Sequence, residues 1–138
     1  MTVLYAELDG SLAGFYDHAT GDITVDPRLP RVELDATVTH EGFHKLLGHG
    51  PCKRPVAAAR EIRVENMTAE YYISFRALLE ALTRCGSVKS MAKFLNVDEG
   101  LVYARFLSLT ALEQTLLNVC GRACIGINTR KPSVTLAA

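Results

Sequence analysis

The chain carries no excess of charge of either sign: fifteen Lys and Arg residues balance fifteen Asp and Glu residues over 138 positions. That balance excludes a general electrostatic pull toward nucleic acid or anionic membrane as the basis of function. No apolar run reaches the roughly 20 residues a membrane-spanning helix needs. The opening "MTVLYAELDG" lacks the basic start and unbroken apolar stretch of a secretory signal. A cytoplasmic location is therefore expected, where thiols stay reduced. Internal repeats and low-complexity tracts are also absent. Of the four cysteines, only Cys120 and Cys124 are close, as "CGRAC". A single Cys-x-x-x-Cys is not the paired knuckle of a structural zinc site, so ordinary free thiols are expected.

What remains is a composition suited to one compact domain. With 49% apolar and 22% charged residues, a chain of this length buries enough surface to fold without disulfides. The first thirty residues alternate short apolar runs, "TVLYAEL", "LAGFYD" and "ITVD", with the turn sequences "DGS" and "HATGD". This reads as a small antiparallel three-stranded meander over about residues 2–26. "PRLPR" then ends strand structure, because proline removes a ladder donor. From about residue 32 to 48 the apolar spacing becomes helical, and "GHGPCKRP" stops it. A second, longer helix is expected over about 56–84, with Gly86 at its C-cap.

The segment "SVKSMAKFLNVDEGLVYARFLSL" has the apolar spacing of a helix-turn-helix, with Asn96 at the turn and Asp98 capping the second helix. Its second helix opens on acidic residues, whereas a groove-reading helix usually presents Arg, Lys, Asn or Gln there. Binding of DNA is therefore not expected. A further helix through "TALEQTLLNV" follows, and the tail "INTRKPSVTLAA" is unassigned. Strands first and helices after make the class α+β. The division expected is a core of residues 1–86 and a helical lobe with a tail over 87–138.

Chemistry concentrates in "VTHEGFHKLLGHG", residues 38–50, which holds three of the four histidines. Positions four apart on a helix share a face, so His40 and His44 present two imidazoles to one ion. Glu41 sits around the helix edge, where a carboxylate reaches a water at that ion without being a ligand. A catalytic zinc takes three protein ligands and keeps an open position. The second helix offers Glu61, Glu65, Thr68 and Tyr72 at steps of four, three and four, a single polar stripe. From this stripe we expect Glu61 as the third ligand. Glu65 is expected as the acceptor that orients a ligand histidine. Tyr72, with Tyr71 and His49 as alternatives, is the expected donor to a tetrahedral oxyanion. The bland reading of Glu61 and Glu65 is a solvated helix face, and that of His49 is a histidine suited to a helix C-terminus. His18 reads as a turn residue. The longer motif with a third histidine is excluded, since Leu47 and Gly50 stand where it requires glycine and histidine.

"THEGFHKLLGH" followed by "REIRVENMTA", with "ITVD" ahead of both, resembles zinc peptidases of the ImmA/IrrE type. The likeness covers roughly residues 10–110 and includes the order of elements. It implies a zincin-like core, one Zn2+ per chain on His40, His44 and Glu61, and a helical lobe after it. It also implies action on a repressor-like protein in a phage, mobile-element or stress-response setting. The chain departs from the family pattern at Phe43, where glycine is usual, and at Val64 and Glu65, where Ala and Asp or Asn are usual. The expected function is a zinc endopeptidase of narrow specificity. Two alternatives stand beside it: a catalytically silent scaffold that regulates a partner by occupancy, and a helix-turn-helix DNA-binding regulator.

Overall fold

The computed structural model describes residues 2–124, with side chains described as far as Cys120. The side chain of Cys124 and the tail from residue 125 lie outside the described residues. Three strands, β1 (Val3–Tyr5), β2 (Gly14–Tyr16) and β3 (Ile23–Val25), precede six helices. These are α1 (Arg31–Leu46), α2 (Val56–Tyr72), α3 (Phe75–Arg84), α4 (Val88–Leu95), α5 (Glu99–Leu107) and α6 (Ala111–Cys124). The fold is α+β, as the order of sequence signals implies.

The sheet is not the expected meander. Its order is β1-β3-β2, with β3 antiparallel to β2 and parallel to β1. Only the second turn, 17–22, closes a hairpin, where Gly21 takes a positive φ of 75° and its N–H donates to the Asp17 carbonyl at 2.8 Å. Burial explains the order. Ile23 and Val25 are fully buried, while Leu4 and Tyr5 of β1 are exposed, so the most apolar strand takes the centre and β1 an edge. The connection 6–13 must then cross from one edge to the other, and Asp26 holds it. The Asp26 carboxylate accepts the Leu8 N–H at 3.0 Å, and Arg28 Nη2 donates to the Leu8 carbonyl at 2.7 Å. The Arg28 guanidinium, helped by the Leu8 N–H, keeps the Asp26 carboxyl well below the usual carboxylate range.

β2 lies close against α1 at Gly14. A Cβ there would stand 2.7 Å from Thr37 Cγ2 and 2.8 Å from the Thr24 carbonyl oxygen. Gly14→Ala is expected to force the strand off the helix and cost about 1–3 kcal/mol, the usual range for overpacking. Thermal unfolding of the variant checks this, and an unchanged midpoint would show that the strand–helix seam yields freely.

The long second helix expected over 56–84 is two helices. Ile73 turns extended, with φ −122° and ψ 92°, and the Ser74 hydroxyl accepts the Ala77 N–H at 3.1 Å as a new N-cap. The Ile73 carbonyl, left without a helical partner, is taken by Arg105 Nε at 2.8 Å. The Arg105 guanidinium, buried in α5, also pairs with Glu113 of α6 at 2.5 Å. The turn between α4 and α5 follows the sequence. Asn96 is left-handed at φ 55°, and the Asp98 carboxylate caps α5 through the Leu101 N–H at 2.9 Å. One core joins Ala36 of α1 and Ala69 of α2 to Met91, Val97 and Val102. The helices after residue 87 therefore share their packing with those before it.

Candidate metal centre

Thr37, His40, Glu41 and His44 follow at steps of three, one and three, so they occupy one face of α1. The face is pressed between β2 and the first half of α2. Two imidazole nitrogens of α1 and the two carboxylate oxygens of Glu61 on α2 meet there. His40 Nε2 and His44 Nε2 are 3.1 Å apart, His40 Nε2 is 3.3 Å from Glu61 Oε2, and His44 Nε2 is 3.4 Å from Glu61 Oε1. Ligands about 2.0–2.1 Å from a tetrahedral zinc lie about 3.3 Å from one another by simple geometry. Each imidazole nitrogen has that spacing to a different oxygen of Glu61. Counted as one ligand atom per residue, the three lie within 4.8 Å of one another, a set of two imidazoles and a carboxylate that could hold a metal ion. Among the described residues, this is the group of His, Cys, Asp and Glu side chains arranged to hold a metal ion. Burial grades across it: His44 is buried, His40 is half-buried and Glu61 is exposed.

Glu41 lines the same cleft, a cavity of about 360 Å³ walled by Gly14, Tyr16, His44, His49 and Glu61 among others. Burial raises the Glu41 carboxyl above its ordinary range. The His44 charge lowers it, Glu61 raises it further, and the Tyr16 backbone offsets part of the rise. A carboxylate raised in this way is a better proton acceptor than a solvated one. A larger neighbouring cleft of about 500 Å³ runs from Ser11–Gly14 past Thr37, His40 and Glu41 to Asp98 and Leu101 at the start of α5. The helical lobe thus forms one wall of the approach to the site.

His49 faces the centre from the loop after α1, with its Nδ1 3.0 Å from His44 Nδ1. Burial holds the His49 imidazole below its ordinary value, and the charges of His44, Arg60 and Arg63 act in the same direction.

Three of the expected residues lie outside the cluster. Tyr72 lies three turns of α2 beyond Glu61, about 16 Å along the axis. Its hydroxyl is 2.9 Å from Thr39 Oγ1. Thr39 spends its own proton on the Asp35 carbonyl, so Tyr72 donates to Thr39 and serves the α1–α2 seam. Tyr71 is exposed, with its ring edge-on to Phe43 at 6.3 Å. Glu65 stands one turn past Glu61, on the wall of the larger cleft. It makes no hydrogen bond to His40 or His44, and the ring that contacts His44 Nδ1 belongs to His49. The tyrosine on the cleft wall is Tyr16, which is not among the residues the sequence points to. Its one signal was a place in the strand "GFY" beside a hairpin turn, which says nothing of what that strand faces.

No family model, curated protein or solved structure matches the chain. The chemistry of the site is therefore read from its own atoms. It offers three side chains that could hold a cation, a raised carboxylate beside them, and an adjoining cleft of about 500 Å³. Among the described residues, no helix is long and apolar enough to cross a membrane.

Proposed function

We propose that the protein is a zinc-dependent endopeptidase of narrow specificity, acting in the cytoplasm on a regulatory protein of the repressor kind. The observation that carries the metal part is the convergence of His40, His44 and Glu61, whose ligand atoms lie within 4.8 Å of one another. A zinc ion held there would supply Lewis acidity, polarising a carbonyl and bringing the pKa of a water to about 7. Glu41 takes the proton from the attacking water and returns it to the leaving amine. The cleft from Ser11 to the start of α5 holds the substrate chain, and the wall formed by the lobe favours a restricted choice of substrate.

The placement of Tyr72 against Thr39 favours a second reading. With the expected oxyanion donor outside the site, the scaffold could hold the metal and act by occupying its partner. The DNA-binding alternative has less support. α5 buries Leu101, Val102, Ala104 and Arg105, which leaves little of a recognition helix, and its start carries Asp98 and Glu99.

Metal content by elemental mass spectrometry tests the centre. The purified chain is expected to carry about one zinc and the His40→Ala/His44→Ala variant none. Equal metal in both, or none in the native chain after zinc is supplied, would overturn the reading.

A further inference from the structure

The contact between His44 and His49 is more specific than a histidine at a helix end requires. Gly48, with φ +63°, donates its N–H to the Lys45 carbonyl at 3.0 Å, and the His49 N–H donates to the His44 carbonyl at 3.0 Å. These two bonds form a Schellman cap, which folds the residue after the left-handed glycine back over the last turn of the helix. An apolar pair frequently fills that contact. Here it is filled by two imidazoles, with ring centroids 5.1 Å apart and planes at 66°. The loop beyond is held in turn, because Arg60 Nη1 donates to the Gly50 carbonyl at 2.8 Å, and a Cβ added at Gly50 would stand 3.2 Å from the His18 ring.

We propose that His49 is a positioning residue for His44, accepting its Nδ1–H so that the Nε2 lone pair points at the metal. The proposal rests on the reading of His40, His44 and Glu61 as metal ligands. A count of protons supports it. A neutral imidazole has one N–H and one lone pair. His44 Nε2 lies in the ligand triangle, so its lone pair belongs to the ion and its proton must sit on Nδ1. The atom 3.0 Å from that proton's nitrogen is His49 Nδ1. The contact is a hydrogen bond only when His49 Nδ1 is bare and its own proton is on Nε2. The sequence "HKLLGH" thus encodes a ligand and its orienting partner at a spacing set by the helix cap. Partners of this kind fix the tautomer and raise the basicity of the ligand.

The test compares the native chain with His49→Ala and His49→Asn, since Asn Oδ1 can take the place of Nδ1 as acceptor. Zinc affinity is measured by competition with a chromophoric chelator. Coordination number is read from the visible absorption of the Co2+ forms, and the fold from melting of the metal-free proteins. The alanine variant is expected to bind zinc about 10–100-fold more weakly. Its metal-free melting and the band intensity of its Co2+ form should match the native chain. The asparagine variant should recover most of the affinity. Unchanged affinity in the alanine variant, or asparagine as weak as alanine, would overturn the assignment. A Co2+ spectrum showing one ligand fewer would overturn it too, by making His49 a ligand itself. A native chain that binds neither ion overturns the metal centre and the proposal with it.

Discussion

Glu41→Gln is expected to leave about one zinc per chain in place and to reduce peptide-bond cleavage by at least about 100-fold, the lower bound for removing a general base. Glutamine keeps the shape of the side chain but cannot accept the proton. Glu41 is outside the ligand triangle of His40, His44 and Glu61, so the cation site should survive. The effect should be large because Glu41 lines the same cleft as His44 and Glu61, within reach of a water bound at the centre. Mass-spectrometric comparison of the native chain and the variant on a diverse peptide library measures it. Products made equally by both would remove Glu41 from the mechanism. Zinc in both, with no products from either, would favour the scaffold that acts by occupancy.

Arg105→Met is expected to destabilise the fold by about 1–3 kcal/mol, the cost of leaving a buried acceptor, the Ile73 carbonyl, without its donor. Arg105 is 2% exposed, and it joins three elements: the Ile73 carbonyl at the α2–α3 break, Ser108 at the end of α5 and Glu113 in α6. Methionine fills similar volume but donates no hydrogen bond. The Ile73 carbonyl and the Glu113 carboxylate are then left short of partners. Urea unfolding at neutral pH measures the loss.

The pH dependence of that loss has a definite sign. Arg105, through its hydrogen bonds, is the main cause of the Glu113 carboxyl lying below its ordinary value in the folded state. The pair therefore contributes fully above the unfolded carboxyl's value, and the contribution fades as pH falls through the depressed folded one. The difference between native chain and variant should narrow in acid. A gap that stayed constant from neutral pH to about pH 3 would show that packing, not the ion pair, carries the effect.

The legibility of these features follows their range along the chain. His40 and His44 were readable as a pair because the i, i+4 relation belongs to any helix. The Asn96 turn and the Asp98 cap were readable for the same reason, since each is settled within four residues. The hairpin closed by Gly21 is equally local. The place of β1 was not, because its pairing with β3 competes with a β1–β2 hairpin and burial of Ile23 and Val25 decides the outcome. The end of α2 was hidden in "YYISF", where a serine can continue a helix or cap a new one. Arg105, more than thirty residues away, takes up the carbonyl that the break exposes.

The polar stripe on α2 marks the boundary between the two kinds of information. Its spacing placed Glu61, Glu65, Thr68 and Tyr72 along one side of a helix. Two packed helices meet over a limited length, so only part of such a stripe can reach a given point on its neighbour. Glu61 reaches the histidines, Thr68 donates to its own helix at the Val64 carbonyl, and Tyr72 meets Thr39. By itself the sequence determined the class of fold and the histidine pair. Tertiary packing alone decided which carboxylate completes the triangle and which tyrosine lines the cleft, because those contacts depend on how separate elements cross.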